Sequence, residues 1–320
     1  MSSFKVLVGD KIAADGVEVL RAAGFVADVK VGLSPEALAG TIGEYDGLIV
    51  RSACKARGDA FWTAAAGKLK AIGRAGSGVD NIDLEAATAN GTWVMNTPGG
   101  NNNAVAELVL GAMFALGRHL VRADVGMKDG RWEKSALMGE EIEGKTLGIV
   151  GLGAIGRIVA AKAGALGMKV LAFDPVLDAA AAKAAGADLV SLDALLAAAD
   201  VVTLHVPLLP ATRNLIDAGA LAKMKPSAWL IDAARGGIVD EPALVAALDA
   251  GGLAAAAMDV FSAEPVPADD RLSRHPKVLA TPHIGASTRQ AQEKVGVQIA
   301  EQLVAFLRDG VVTHPVNRLG

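Results

Sequence analysis

The sequence contains almost no cysteine, no excess of basic residues and no long uninterrupted apolar segment. Among its 320 residues Cys54 is the only cysteine, so an intrachain disulfide is excluded. No Cys/His cluster has the spacing of a metal site, and we expect no metal. The formal net charge of −4 argues against a nucleic-acid binder with a broad basic face. These features together favour a protein of the reducing cytoplasm.

Segments for membrane insertion or export are equally hard to find. The chain begins MSSFKVLVGD and runs directly into a short apolar segment, which argues against a signal peptide. Its most apolar stretch, TLGIVGLGAIGR, already contains Arg157. No charge-free run therefore reaches the roughly 18 residues that a membrane span requires. We expect no membrane partner.

Short apolar runs alternate with helical stretches along the chain. They are apolar almost throughout, which is typical of strands in parallel sheets whose two faces are covered by helices. Hydrophobic residues make up 52% of the chain, enough for sizeable cores. The sequence therefore predicts α/β architecture with parallel sheets. The predicted strands lie at 5–10, 47–51, 69–76 and 92–96 in a first series, and at 146–151, 169–174, 200–207, 228–234, 254–261 and 277–285 in a second.

Two longer helices are also predicted. One separates the two series of strands, because apolar residues recur at helical spacing over 105–120. The other follows residue 286, where Ser287 and Gln290 fit a capping box and Gly310 ends the pattern.

A glycine-rich turn indicates a dinucleotide site. Gly151, Gly153 and Gly156 form G-x-G-x-x-G directly after a predicted strand and at the start of a helix. The first glycine permits a tight turn, the second admits a pyrophosphate, and the third lets helix and strand pack closely. Asp174 ends the next strand, where a carboxylate binds ribose hydroxyls and repels a 2′-phosphate, so NAD is favoured over NADP. The alternative is that the glycines only pack the turn.

Polar residues at the other strand ends suggest hydride-transfer chemistry. Ligands of open α/β sheets bind beyond the carboxyl ends of the strands. His283 has the ordinary pKa of a base for a hydroxyl proton, and Glu264 could fix its tautomer. Arg235 could bind a substrate carboxylate with two hydrogen bonds.

Structural roles are possible for the same residues. Arg235 could instead pair with Asp232 or Asp240, and Glu264 could belong to an ordinary polar loop. We expect His205 to lie near the cofactor. The remaining histidines are interpreted as structural: His119, His275 and His314.

Several stretches together resemble the D-isomer-specific 2-hydroxyacid dehydrogenases. They are IGRAGSGVDNIDLEAA, GRWEKSALMGEEIEGKTLGIVGLGAIGR, HVPLLPATRNLI, ARGGIVDEPAL, AAMDVFSAEP and TPHIGASTRQAQ. The resemblance covers nearly the whole chain and is greatest to members that oxidise D-3-phosphoglycerate to 3-phosphohydroxypyruvate in serine synthesis. It implies a Rossmann NAD-binding domain, residues 98–288, inserted into a flavodoxin-like substrate domain made of residues 1–97 and 289–320.

The resemblance also implies roles for individual residues. Arg235, Glu264 and His283 would be catalytic. NAD would be contacted at Ser77, Gly151, Gly153, Ala154, Ile155, Gly156, Asp174, His205, Val206, Pro207, Ala233, Ala234, Asp259 and Gly285. A phosphorylated substrate would be bound by Arg51, Ser52, Arg74, Gly76, Arg235 and His283.

The resemblance further implies a homodimer formed through the nucleotide-binding domains, by the helix near 100–126 and the arm near 127–142. Two other functions stay open: a hydroxypyruvate or glyoxylate reductase, and an NADH-binding corepressor. Three features depart from the family pattern: Ala154 replaces a common arginine, Asp232 replaces the usual asparagine, and RSACKA replaces RSATKV. The chain ends without the serine-binding regulatory domains of longer relatives, so we expect no serine feedback through them.

Overall fold

The computed structural model describes residues 3–319 and divides into two compact units. The first comprises Met1–Asn101 and Ala286–Gly320, and the second comprises Asn102–Gly285. In the sequence, the second unit therefore interrupts the first. The sequence analysis places the domain divisions after residues 97 and 288.

The first unit contains a five-stranded parallel sheet in the order β2-β1-β3-β4-β5. Its strands are β1 (Lys5–Val8), β2 (Val26–Val29), β3 (Gly47–Val50), β4 (Ala71–Arg74) and β5 (Trp93–Asn96). Its helices are α1 (Ala14–Ala22), α2 (Pro35–Ile42), α3 (Asp59–Ala65), α4 (Leu84–Ala89) and α12 (Arg289–Asp309). Separate apolar clusters cover the two faces of the sheet. At Gly16 of α1 a β-carbon would lie 2.6 Å from the carbonyl oxygen of Gly296 in α12, so glycine permits this close helix crossing.

The second unit contains a seven-stranded parallel sheet in the order β12-β11-β10-β9-β6-β7-β8. Its strands are β6 (Thr146–Val150), β7 (Lys169–Phe173), β8 (Asp188–Leu189), β9 (Val201–Leu204), β10 (Trp229–Asp232), β11 (Ala255–Met258) and β12 (Val278–Ala280). Its helices are α5 (Asn102–Gly117), α6 (Leu120–Lys128), α7 (Ala154–Ala165), α8 (Ala179–Ala184), α9 (Leu192–Ala198), α10 (Ala218–Leu221) and α11 (Glu241–Asp249), with a 3-10 turn at Lys134–Leu137. The strand order reverses at β6, the position where doubly wound sheets bind nucleotides.

The predicted α/β class with two parallel sheets is confirmed, whereas some elements differ from prediction. Strands β2 and β8 were not predicted. The predicted helix across 105–120 is two helices, bent by 63° at their junction, where His119 adopts a left-handed conformation with φ 51°. The last helix is capped by Thr288, whose hydroxyl accepts the N–H of Ala291, and not by the predicted Ser287.

No single helix within residues 3–319 is long and apolar enough to cross a membrane. The bent pair α5 and α6 meets these limits only when the two helices are counted together.

Candidate active site

The carboxyl ends of β10, β11 and β12 bring Asp232 and two predicted site residues, Asp259 and His283, to one edge of the second sheet. Asp232 ends β10, Asp259 follows β11, and the chain after β12 reaches His283. Adjacent strands are joined here, since the N–H of Asp259 donates to the carbonyl of Asp232 at 2.8 Å. The parallel order that the apolar runs predict therefore produces a cluster of polar groups at this edge.

The predicted histidine–carboxylate pair is formed. Nδ1 of His283 lies 2.7 Å from Oε2 of Glu264, and both side chains remain partly exposed, at 41% and 37%. Oε1 of Glu264 accepts the backbone N–H of Phe261 at 3.1 Å. The carboxylate is thus fixed on one oxygen and binds the imidazole with the other. Because Nδ1 is engaged, Nε2 is the ring nitrogen available for proton exchange with a ligand.

Asp259 fixes the turn that carries His283. One of its carboxylate oxygens accepts hydrogen bonds from the Thr281 hydroxyl and the N–H of Ile284, and the other accepts the N–H of Gly285 at 2.8 Å. Its own carbonyl accepts the N–H of His283, at 2.9 Å. His283 has a φ of 52°, which few residues other than glycine adopt. Asp259 therefore stabilises an uncommon backbone conformation at the site.

Glycine brings the segment of Arg235 close to that of Glu264. A β-carbon at Gly236 would lie 1.9 Å from the carbonyl oxygen of Phe261 and 2.7 Å from the nitrogen of Ser262, so no side chain fits there. The two stretches of backbone are consequently in direct contact. Arg235 is partly buried, and its Nη1 donates to the carbonyl of Ala234 at 2.7 Å.

The loop after β6 presents the free end of a helix. Gly151 has a φ of 94°, and a β-carbon there would lie 2.8 Å from the carbonyl oxygen of His205. A β-carbon at Gly156 would lie 2.3 Å from the carbonyl oxygen of Gly151. At Gly153, by contrast, a β-carbon would meet only open space, and no side chain caps the helix that follows. The first N–H groups of α7 are thus suited to a pyrophosphate, as a bound NAD would require.

Asp174 lies beside this loop. Its Oδ2 accepts the N–H of Leu152 and its Oδ1 accepts the N–H of Val176, both at 3.0 Å. Each carboxylate oxygen can accept a further hydrogen bond, so the group remains able to bind ribose hydroxyls. The residues present therefore fit NAD.

His205 is held as a neutral imidazole. Its Nε2 lies 3.1 Å from the Thr203 hydroxyl, and burial lowers its pKa to about 4. This ring does not gain a proton near neutral pH. Four other predicted cofactor residues lie on the same edge: Val206 and Pro207 follow β9, and Ala233 and Ala234 follow β10. Ala154 and Ile155 begin α7.

In the first unit, two unpredicted residues fix the loop of Arg51. Asp10 accepts the N–H groups of Arg51 and Cys54, and Asn81 donates its amide to the carbonyls of the same two residues. Burial lowers the pKa of the Arg51 guanidinium, and the charge of Asp10 opposes this shift. Ser52 is exposed in this loop.

The remaining predicted residues of this unit follow β4. Gly76 has a φ of 140°, and a β-carbon there would overlap the guanidinium of Arg74, at 1.6 Å from Nη1. Gly76 donates its N–H to the Thr97 hydroxyl at 2.7 Å, and the Ser77 hydroxyl donates to Asn101 at 3.1 Å. Glycine is favoured here because a φ of 140° is strained for a residue with a side chain.

Several functional groups were missed by the sequence analysis. Asp10, Asn81, Thr281 and the N–H of Phe261 all position predicted residues. Asn81, Phe261 and Thr281 lie in stretches that resemble the family, but the sequence pattern assigns them no contact. Their contacts depend on tertiary structure alone. Among residues 3–319, no group of three or more His, Cys, Asp or Glu side chains could hold a metal ion.

Comparison with known proteins identifies the family. Residues 110–285 match the family described as D-isomer specific 2-hydroxyacid dehydrogenase, NAD binding domain. The chain belongs to this family. The predicted family and the NAD cofactor are thereby confirmed, and the residues that match this family lie within the second unit.

Individual relatives match the chain over both units. The chain is 48% identical to D-3-phosphoglycerate dehydrogenase of Synechocystis sp. over 93% of its own length and 53% of that protein. It spans about half the length of the curated relatives that it matches.

Solved structures match nearly the full length of the chain. NAD+-bound 3-phosphoglycerate dehydrogenase of Entamoeba histolytica has a TM-score of 0.83 at 30% identity, covering 100% of both chains. A glyoxylate reductase of Paecilomyes thermophila has a TM-score of 0.87 at 31% identity, covering 99% of each chain.

Proposed function

We propose that the chain is an NAD-dependent dehydrogenase that oxidises D-3-phosphoglycerate to 3-phosphohydroxypyruvate, a first step towards serine. The observation that carries this proposal is the 2.7 Å pairing of His283 with Glu264, at the sheet edge that also carries Arg235. A base, its carboxylate partner and a cation for an anionic substrate are the groups that alcohol oxidation requires.

Each of the three residues has a distinct task. NAD, when bound, supplies the hydride acceptor. Nε2 of His283 takes the proton of the substrate hydroxyl, and Glu264 stabilises the imidazolium that results. Arg235 binds the substrate carboxylate and orients the carbon that carries the hydroxyl. In the reverse direction His283 returns the proton as a general acid.

We assign the substrate domain to the first unit and the cofactor domain to the second. Arg51, Ser52, Arg74 and Gly76 are our candidates for binding the phosphate, which carries a charge of nearly −2. Arg51 and Arg74 are both partly buried, which supports a role in binding phosphate. Burying a guanidinium costs free energy unless an anion or other acceptors pair with it. The name of the Synechocystis relative favours the same substrate.

We further propose a homodimer formed through the nucleotide-binding units, and a cytoplasmic location. Helix α6 and the arm after it expose apolar side chains that a partner could cover: Leu120, Val121, Val125, Met127, Trp132 and Met138. Sedimentation velocity tests the dimer, and a monomer at micromolar concentration would contradict it. The single cysteine agrees with a reducing compartment.

The function is tested by turnover of purified protein with NAD. We expect kcat/KM for D-3-phosphoglycerate to exceed that for D-glycerate and D-lactate by at least about a hundredfold, because the phosphate adds charge-assisted contacts. Hydroxypyruvate and glyoxylate with NADH test the reductase alternative, which the glyoxylate reductase relative supports. Preference for these unphosphorylated acids would replace the proposed substrate. NADH binding without any turnover would favour the corepressor alternative.

A further inference from the structure

Asp232 is a buried acid for which the proposed reaction has no use. It ends β10, next to the turn that carries Arg235, and is only 1% exposed. Its Oδ1 accepts the N–H of Ala234 at 2.9 Å, and the N–H of Arg235 interacts with the same carboxyl group. A side-chain acceptor two residues before a turn fixes that turn in the manner of an Asx turn. The conformation of the Arg235 backbone therefore depends on this side chain.

The other oxygen of this carboxyl group is in a different environment. Within residues 3–319, Oδ2 of Asp232 has no hydrogen-bond partner although it is fully buried. Asp232 also lines a cavity of about 110 Å³ between α5 and the ends of β10 and β11. Apart from Asp259 and Thr281, the side chains around this cavity are apolar. A carboxylate would be poorly solvated there, whereas a neutral acid is much less costly to bury.

Two charged groups act on Asp232: the guanidinium of Arg235 and the carboxylate of Asp259. Other neighbouring elements add none. Helix α5 contributes Leu108, Val109, Gly111 and Ala112, β9 pairs Leu204 with Asp232, and the chain after β12 contributes the hydroxyl of Thr281. Burial has the largest effect and raises the pKa of Asp232; the N–H groups of Ala234 and Arg235 and the charge of Arg235 lower it, and the charge of Asp259 raises it.

We propose that Asp232 is a positioning residue that fixes the turn of Arg235 as a neutral acid, and that its ionisation weakens the binding of the anionic substrate. This inference rests on the proposed function, because it takes Arg235 as the residue that binds the substrate carboxylate. Burial raises the pKa of Asp232 to about 7, so the neutral form dominates below neutral pH and the anion above it. The anion attracts Arg235 and repels the carboxylate that Arg235 binds. KM should consequently rise as the pH increases through this range.

Two variants distinguish the hydrogen bonding of Asp232 from the effect of its charge. Asp232→Ala removes the acceptor of the turn, and we expect kcat/KM for D-3-phosphoglycerate to fall at least about tenfold, mainly through KM. Asp232→Asn keeps an oxygen that accepts the N–H of Ala234 but cannot ionise. We expect it to recover most of that loss at about pH 6 and to lack the rise in KM between about pH 6 and about pH 8.5 that the wild type shows.

Two kinetic results would overturn the proposal. If Asp232→Ala matches the wild type, the turn does not depend on this side chain. If Asp232→Asn shows the same rise in KM with pH as the wild type, the ionisation of Asp232 has no effect on substrate binding. His283 is present in all three proteins, so the difference between them isolates Asp232.

A spectroscopic readout distinguishes failure of this inference from failure of the proposed function. The infrared band of a protonated carboxylic acid should be present in the wild type at about pH 6, disappear by about pH 8.5, and be absent from Asp232→Asn throughout. This titration needs no substrate. If the protein oxidises no 2-hydroxy acid but shows this band, the proposed function is wrong and the neutral state of Asp232 still holds. Identical spectra for the wild type and Asp232→Asn would disprove the neutral acid.

Discussion

Gly236 is the position where the smallest change should disturb the site most. Adding one methyl group in Gly236→Ala would put a β-carbon 1.9 Å from the carbonyl oxygen of Phe261 and 2.2 Å from its carbonyl carbon. Both atoms belong to the backbone, so no side chain can rotate away. The segments of Arg235 and Glu264 must therefore separate, by roughly 1 Å, before the contact becomes tolerable.

Two effects of known size follow from this separation. Overpacking in a dense region costs about 1–3 kcal/mol, and each kcal/mol lowers Tm by roughly 2–4 °C in a unit of this size. A displacement of about 1 Å between catalytic groups can also reduce the rate about a hundredfold. We expect Gly236→Ala to show a lower Tm by calorimetry and a loss in kcat/KM of at least about tenfold with D-3-phosphoglycerate.

Gly164→Ala is the matched control for the same chemical change. Gly164 is exposed within α7, and a β-carbon there would have no atom within 4 Å. Because alanine favours a helix more than glycine, this variant should be more stable by up to about 1 kcal/mol and keep its activity. Wild-type Tm and kcat/KM in Gly236→Ala would refute the backbone contact on which the reasoning depends.

Three further predictions concern single ionisable groups. In the folded protein Asp232 keeps its proton up to about pH 7, whereas the unfolded chain releases it near the ordinary value of 3.8, so stability falls as pH rises across this range. The free energy of unfolding, measured with urea, should lose up to roughly 4 kcal/mol less over this pH range in Asp232→Asn than in the wild type. An equal pH dependence of the free energy of unfolding in both proteins would contradict this. Burial raises the pKa of Cys54 to about 12. Iodoacetamide should therefore alkylate this thiol at least about a hundredfold more slowly in the native protein than in the unfolded protein, and comparable rates would contradict this prediction. Asp174→Asn should reduce the preference for NAD over NADP at least about tenfold, because the charge that repels the 2′-phosphate is lost, and an unchanged preference would exclude this role.

The fold could be predicted wherever burial makes a strand continuously apolar. All four residues of β3, β9 and β10 are buried, and the sequence identifies each strand. Strand β2 escaped prediction because it lies at a sheet edge with a partly exposed pattern, and includes Asp28, whose carboxylate accepts the hydroxyl of Tyr45. The break between α5 and α6 was also missed. There Gly117 packs against Trp229, a tertiary contact that no helical period reveals.

Within the candidate site, only residues at the ends of predicted strands could be assigned from the sequence. Parallel strands bring their carboxyl ends together, so Arg235 and His283 could be assigned from the ends of apolar runs. The hydrogen bonds from the turn of His283 to Asp259 could not be predicted, because they require His283 to adopt a left-handed conformation that the sequence does not specify. The burial of Asp232 was equally hidden, because the sequence allowed it to be a counter-ion of Arg235 or to point elsewhere. Its environment is a property of the packing of α5 on the sheet.

The central claim is that Arg235 binds the carboxylate of a 2-hydroxy acid beside the pair His283–Glu264. It is tested most directly by kcat/KM with D-3-phosphoglycerate and by the Kd for NADH, measured for Arg235→Ala and for Arg271→Ala as a surface control. Arg271 is 78% exposed and pairs with Asp249. Losing a charge-assisted contact worth about 1.5–3 kcal/mol should lower kcat/KM by about 10- to 100-fold in Arg235→Ala, with the Kd for NADH nearly unchanged and Arg271→Ala fully active. Unimpaired turnover by Arg235→Ala would contradict the account.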